Sequence, residues 1–330
     1  MTPSQPPVLV IGEALTDVLC GPDGSRSARP GGSPANVALG LARLGHPVRL
    51  ATSIGQDPNG QELLRHLLGS GVELTDGSVV PGPSPTATAV LDKHGSATYT
   101  FDLHWEMPPS TLGLVREGAV GHLHTGSIAT ALAPGAPHVE AAVRAARAVS
   151  TVSYDPNLRP SLLGGAEAER PRVEAFVAAS DVVKASQEDL AWLYPERRPE
   201  EVAAGWTASG PSLVVLTRGP DSTGVFWRAG GCEVPVPAVR VVDTVGAGDA
   251  FMAGLLSGLL GAGLLGDVPA GADSTPRTRL RAATAAPELD AAVTAALARA
   301  NLVAALTCGR PGADPPTLAD LAAHRSAALP

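Results

Sequence analysis

The chain has 330 residues, 44% of them hydrophobic and 17% charged, which excludes a disordered polymer and suffices for one large α/β domain without disulfide staples. A net charge of −8 argues against a nucleic-acid binder, because neutralising phosphates requires a basic stripe. Cys20, Cys232 and Cys308 are far apart, odd in number and match neither zinc nor disulfide spacing, so a reducing, cytoplasmic setting is expected. Met1 to Pro7 lacks the basic and apolar regions of a secretory signal. The longest run free of both charged residues and histidine, Ala250 to Gly266, is 17 residues and glycine-rich, so a core helix rather than a membrane span is expected. Only two of the 24 basic residues, Lys93 and Lys184, are lysines, and we read the arginine excess as coding bias.

Val8 to Ile11 is a short apolar run ending at Gly12, the pattern of a buried first strand. Ser33-Pro34 predicts a helix start, with Ser33 as cap, and Gly45 predicts its end. Asp57-Pro58 repeats the start signal. Apolar runs near 121–125, 151–154, 182–184 and 213–217 alternate with helical stretches near 137–148, 172–179 and 187–193, which predicts parallel strands with crossover helices. One segment breaks that rhythm. Ala87, Ala89 and Leu91 alternate with polar residues, as do Tyr99, Phe101 and Leu103 beyond a turn at His94-Gly95. This is a hairpin with one apolar face, either a separate lid or an antiparallel edge of the main sheet. The stretch 262–286 has little apolar period and reads as a surface insertion between helices.

Several chemistries are absent. Neither lysine follows a glycine, so there is no Walker phosphate loop, and no Gly-x-Gly-x-x-Gly follows the first strand. His122 and His124 share one face of a strand, but with no third ligand in the pattern they read as structural histidines.

Two motifs carry chemistry. The first is Asp243-Thr244-Val245-Gly246-Ala247-Gly248-Asp249 before a long apolar helix. Glycines at a helix start let backbone N–H groups converge on an anion, where the dipole also favours negative charge. Asp249, beside that nest, is placed to accept a proton from a hydroxyl nucleophile. A tight turn with an aspartate cap is the plain alternative. The second is Gly31-Gly32-Ser33-Pro34-Ala35-Asn36, followed by Gly45 and Gly55. A glycine pair lets a polar ligand approach the backbone, and Asn36 offers both donor and acceptor to a sugar hydroxyl.

In composition, order and spacing these strings resemble the two signatures of the ribokinase family, also called the PfkB carbohydrate kinases, and the resemblance runs over about residues 8 to 320. It implies a ribokinase-like α/β fold: a central, mostly parallel sheet flanked by helices, with a small β-sheet lid. The whole chain, 1–330, is then one kinase domain, with lid segments near 12–33 and 84–105. The resemblance assigns Asp249 as catalytic base and Gly246, Ala247 and Gly248 as the anion hole. Asp17, Gly32, Asn36, Phe101 and Arg159 fall to the sugar. Ser186, Thr217, Gly219 and Asn301 fall to ATP. Asp189, with Glu188 beside it, falls to Mg2+ through water, and Asp243, with the turn at 309–313, to a monovalent cation such as K+. The family's Asn-x-x-Glu appears here as Ser186-Gln187-Glu188-Asp189, a shorter acid at the last position.

Gly-Gly-Ser-Pro-Ala-Asn, His124-Thr125-Gly126-Ser127-Ile128 and Asp155-Pro156-Asn157-Leu158-Arg159 look most like the fructokinase branch. A sugar acid such as 2-keto-3-deoxygluconate would call for a cation near the lid, and Lys93 at the hairpin tip is the one lysine or arginine between Thr86 and Trp105. ATP and a small neutral sugar are therefore the expected partners, with neither nucleic acid nor membrane, and a homodimer through the lid. The alternatives are another PfkB sugar or nucleoside kinase and a non-catalytic, kinase-like regulatory protein.

Overall fold

The computed structural model describes residues 6–91, 97–266 and 274–327. The hairpin tip with Lys93, His94 and Gly95 lies outside them, as does part of the stretch 262–286.

The first half of the chain contains β1 (Val8–Ile11), β2 (Leu15–Cys20), β3 (Arg26–Gly31), α1 (Ser33–Arg43), β4 (Val48–Ala51), β5 (Ile54–Gly55), α2 (Pro58–Gly69), β6 (Val72–Leu74) and β7 (Val79–Val80). Then come β8 (Thr86–Leu91), β9 (Ala97–Asp102), α3 (Ser110–Arg116), β10 (His122–Gly126), α4 (Gly135–Val149), β11 (Thr151–Asp155) and α5 (Ala166–Ala178). The remainder is β12 (Val182–Ser186), α6 (Gln187–Leu193), α7 (Pro199–Trp206), β13 (Leu213–Thr217), β14 (Ser222–Trp227), β15 (Gly230–Pro235), α8 (Ala247–Gly261), α9 (Pro276–Ala283), α10 (Ala291–Cys308) and α11 (Leu318–Ala327).

Among the described residues the main sheet has nine strands in the order β15-β14-β13-β12-β11-β10-β1-β4-β6. It is parallel except at β14 and β15, which turn back as antiparallel neighbours of β13. Side-chain alternation splits the core. Val8 and Val10 pack with α1, α2, α8, α9 and α10 on one face, while Leu9 and Ile11 pack with α3 to α7 on the other. A strand covered on both faces has no solvent side, which is why Val8 to Ile11 reads as an unbroken apolar run.

The hairpin belongs to a separate sheet, β3-β2-β8-β9, rather than to an edge of the main one. Its inner face is set by register: Asp17 pairs with Ala87, and Ala87 with Phe101. α10 is long and apolar enough to cross a membrane by length and composition. Its small residues Ala296 and Ala300 instead pack against Gly258 and Gly254 of α8 inside the core.

Two local expectations need correction. Ser33 does not cap α1; the N-cap is Gly32, and no side chain caps that end. The stretch 262–286 is not all irregular, because Thr275 accepts a hydrogen bond from the Thr278 amide and starts α9. Arg277 on α9 then pairs with buried Asp181 at 2.7 Å, so an insertion with little apolar period is fastened by charge.

Candidate active site

From β1 the chain moves outward through β4 to β6, then returns and continues on the other side through β10, β11, β12 and β13. The carboxyl edge between β1 and β10 is therefore a topological switch point, where open α/β sheets leave a crevice. A cavity of about 390 Å3 lies there, between that edge, the lid and the start of α8.

Asp17, Gly32, Asn36, Phe101, Arg159, Gly246 and Asp249 all line it, so residues scattered over more than two hundred positions meet at one cavity. Gly32 has φ 101°, and a side chain there would strike the Glu13 carbonyl, so glycine is required for this close turn. Gly246 is the N-cap of α8 with φ 73°, leaving Ala247 and Gly248 in the first turn with their N–H groups at the positive end of the helix. Asp249 is thus not the cap of α8. It is 7% exposed and receives two hydrogen bonds, from Ser33 Oγ at 2.7 Å and Asn36 Nδ2 at 2.8 Å. Those bonds tie the two motifs together and fix the carboxylate's orientation.

Asp17 faces the cavity from β2, a strand of the lid sheet, and although the residue stays exposed at the cavity, desolvation by the surrounding walls pushes its carboxyl up to about 6, partly offset by Arg159. Arg159 is held over the cavity by hydrogen bonds to the Asn157 side chain at 2.6 Å and the Leu158 carbonyl at 3.1 Å. Asn157 itself sits at φ 36°, a strained conformation that aims this segment.

Beneath Gly248 lies a buried ion pair, Lys184 Nζ to Asp155 Oδ2 at 2.7 Å. Nζ is 3.1 Å from where a side chain on Gly248 would begin, so its charge reinforces the anion nest. Burial opposes charge on Lys184, but Asp155 and nearby carboxylates outweigh it and raise its pKa, while burial lifts Asp155 to about 6. The 2.7 Å contact between the two is accordingly that of an ammonium–carboxylate pair. The motifs do not reveal this pair, but the scarcity of lysine offers a signal: one of only two lysines in an arginine-rich chain lies in the middle of the buried strand β12.

The residues expected at ATP fall in two groups. Ser186 and Thr217 are in register on β12 and β13, and Gly219 follows at φ 57°, so these three extend the same carboxyl edge away from the cavity. Asn301 departs from expectation. It is 3% exposed, accepts from Thr223 at 2.9 Å and donates to the Pro235 carbonyl at 3.2 Å, which pins α10 to the β14–β15 hairpin and leaves little to offer a nucleotide. Asp189 also departs. One carboxylate oxygen accepts from Leu158 N at 2.7 Å, and the other from the Ser186 amide and hydroxyl, forming a capping box that starts α6. Glu188 is the exposed acid on that turn. Asp243 accepts from Val245 N at 3.0 Å and Gly312 N at 2.8 Å, joining the two loops, and those donors hold its carboxyl below the usual range.

His122 and His124 are structural. Both share hydrogen bonds with Ser153, and burial depresses them to about 4 and about 3. Among the described residues no cluster of His, Cys, Asp and Glu could hold a metal. Sequence reasoning missed Glu13, Ser33 and Ser127 in the cavity wall.

A helix-start nest, a proton-accepting aspartate and a lidded polar cavity at the switch point define a phosphotransferase acting on a small hydroxylated acceptor. Residues 7–320 match the model of the pfkB family carbohydrate kinases, and the chain belongs to that family. It is 35% identical to a fructokinase of Rhizobium leguminosarum bv. trifolii over 76% of this chain and 79% of that one. Fructokinase from Xylella fastidiosa with bound ATP superposes with TM-score 0.81 at 26% identity, covering 98% and 99% of the two chains. A double mutant of Vibrio cholerae O395 fructokinase, bound to fructose, ADP and potassium ion, has TM-score 0.74 at 28% identity, covering 98% and 99%.

Proposed function

We propose that this protein is an ATP-dependent sugar kinase whose acceptor is a neutral keto-sugar, D-fructose first. The whole chain acts as one domain, with the segments 12–33 and 84–105 as its lid. The observation that carries the reading is Asp249, oriented by Ser33 and Asn36 at the mouth of the Gly246–Gly248 nest and facing a cavity roofed by Phe101.

A sugar bound among Asp17, Gly32, Asn36 and Arg159 directs one hydroxyl at Asp249. As the hydroxyl oxygen bonds to the γ-phosphorus, its proton passes to the Asp249 carboxylate, the bond between the γ-phosphorus and the bridging oxygen breaks, and ADP leaves. The amides of the nest and the Lys184 charge meet the negative charge that spreads over the transferring group. Ser186, Thr217 and Gly219 continue the groove for the remaining phosphates.

ATP arrives with Mg2+, which neutralises phosphate charge. Exposed Glu188 supplies the hard oxygen donor that suits it through water, whereas Asp189 is spent on the fold. The join that Asp243 makes between its own loop and the turn at 309–313, together with the potassium ion bound by the Vibrio cholerae fructokinase, supports a monovalent cation there. K+ is accordingly the second ion of this proposal, tested by replacing it with tetramethylammonium.

A coupled assay across a sugar panel with MgATP tests the reading. Fructose should turn over best. An inert fructose with 2-keto-3-deoxygluconate at least tenfold better would overturn the acceptor, and no turnover with any sugar or nucleoside would favour the regulatory alternative.

A further inference from the structure

Glu13 lines the cavity and has no part in the transfer just described. It follows Gly12 at the carboxyl end of β1 and is 4% exposed. Oε2 accepts a long hydrogen bond from the Ala129 amide at 3.3 Å, and the carboxyl shares another with the Ser127 hydroxyl. Ser127 adopts φ 55°, unusual for a residue with a side chain, and this strained turn presents its hydroxyl to Glu13.

The other charged groups that line the cavity come from three elements, Asp17 on β2, Arg159 after β11 and Asp249 on α8, and of these Arg159 is the one whose charge reaches Glu13. Arg159 acts on Glu13 only at a distance, because its guanidinium is bonded to Asn157 and the Leu158 carbonyl. One cavity of about 390 Å3 thus holds three carboxyl groups and one guanidinium. A sugar hydroxyl both donates and accepts. Asp17 and Asp249 already supply acceptors. A third charged carboxylate would leave sugar oxygens without donors and add like charge to the cavity.

We propose that Glu13 is a specificity residue that enters the sugar complex as a neutral carboxylic acid and donates a hydrogen bond to a sugar oxygen. This rests on the sugar-kinase reading. It divides the work between two buried acids in one cavity: Asp249 takes a proton from the acceptor, and Glu13 gives a hydrogen bond to it. Burial holds the Glu13 carboxyl up at about 7, so the proton is taken up at little cost. Such a neutral acid suits an uncharged polyol.

The sign follows from linkage. If only the protonated form binds sugar, affinity is full below pH 7 and falls by about tenfold per pH unit well above it. kcat at saturating sugar should change much less, because bound sugar keeps the proton in place. Calorimetry of fructose binding at pH 8, in two buffers of different ionisation enthalpy, should find close to one proton taken up by the wild type. Glu13→Gln keeps a donor at every pH. It should take up none and hold a flat fructose KM from pH 7 to 9. Glu13→Ala should raise KM about tenfold or more at pH 6.5, the effect of a lost buried hydrogen bond.

Fructose binding by the wild type without proton uptake at pH 8 overturns the role of Glu13. So does uptake that persists in a folded Glu13→Gln, since another group, Asp17 foremost, would then carry the proton. If Glu13→Gln fails to melt cooperatively, Glu13→Ala takes its place in the proton count, and uptake that persists in it overturns the role of Glu13. Failure of every neutral sugar to bind or react overturns the kinase reading itself, an outcome distinct from fructose turnover with no linked proton.

Discussion

Asp249 accepts one hydrogen bond on each carboxylate oxygen. In Asp249→Asn the amide oxygen can keep the bond from Asn36, and the amide N–H can donate to Ser33 once that hydroxyl rotates. The fold should persist, with a melt within a few degrees of wild type. Loss of the proton acceptor should lower kcat by roughly 10²–10⁴-fold while leaving the KM for ATP nearly unchanged. Retention of more than about a tenth of kcat would move the base elsewhere. Lys184 tests a different point. Removing it as Lys184→Met strands Asp155, which is 1% exposed, and should destabilise by about 3–5 kcal/mol. Lys184→Met with Asp155→Asn removes both charges and should recover much of the melting temperature. If the ammonium supports the nest, kcat stays low in that double variant; recovered kcat would show the pair to be purely structural. Asp249 and its nest were legible because one short string holds them. Lys184 and Asp155, 29 positions apart on adjacent strands, meet only through the register of the sheet.

At the scale of elements, the lid was visible as an alternation, and its placement was not. Period-two patterning shows one apolar face but cannot say what that face covers. Register with β2 turns Phe101 and Ala87 toward Asp17. Phe101→Ala should raise the sugar KM and increase ATP hydrolysis relative to sugar phosphorylation, because closure excludes competing water. Unchanged values for both would place the hairpin's function elsewhere. β10 offers a pH test. The folded chain holds His124 neutral, depressed to about 3, whereas the unfolded imidazole binds a proton below its ordinary value near 6.5. Acid therefore favours the unfolded wild type across pH 6.5 to 4. His124→Gln should be less stable than wild type at pH 7 through lost packing, and the gap in melting temperature should narrow as pH falls through that window. A gap that stays constant would mean His124 gains its proton without unfolding.

For the whole molecule, the lid sheet leaves an apolar surface that the cavity does not use. Leu19 lies two residues from Asp17 on the same face of β2 and is 44% exposed. A small sheet with open edges invites pairing. Light scattering at micromolar concentration should give the mass of a dimer, and Leu19→Glu should shift it to a monomer. A wild type that is monomeric throughout would confine the lid to its own site.

Residue order alone determined the parallel sheet, the helix start at Asp57 and the two glycine-rich strings, because each rests on interactions within a few residues: strand period, caps and backbone freedom. Ser33, Asn301 and Asp189 show the limit. The helix start predicts a backbone amide for Ser33, and the family resemblance predicts ATP for Asn301 and Mg2+ for Asp189, while the folded chain supplies Asp249, Thr223 and the Leu158 amide in turn. A hydrogen-bonding group takes the best partner within about 3 Å, and which partners come that near is set by packing across the sheet, not by neighbours in the chain. The raised Glu13 carboxyl follows the same logic, since its burial exists only once the folded chain has closed around it.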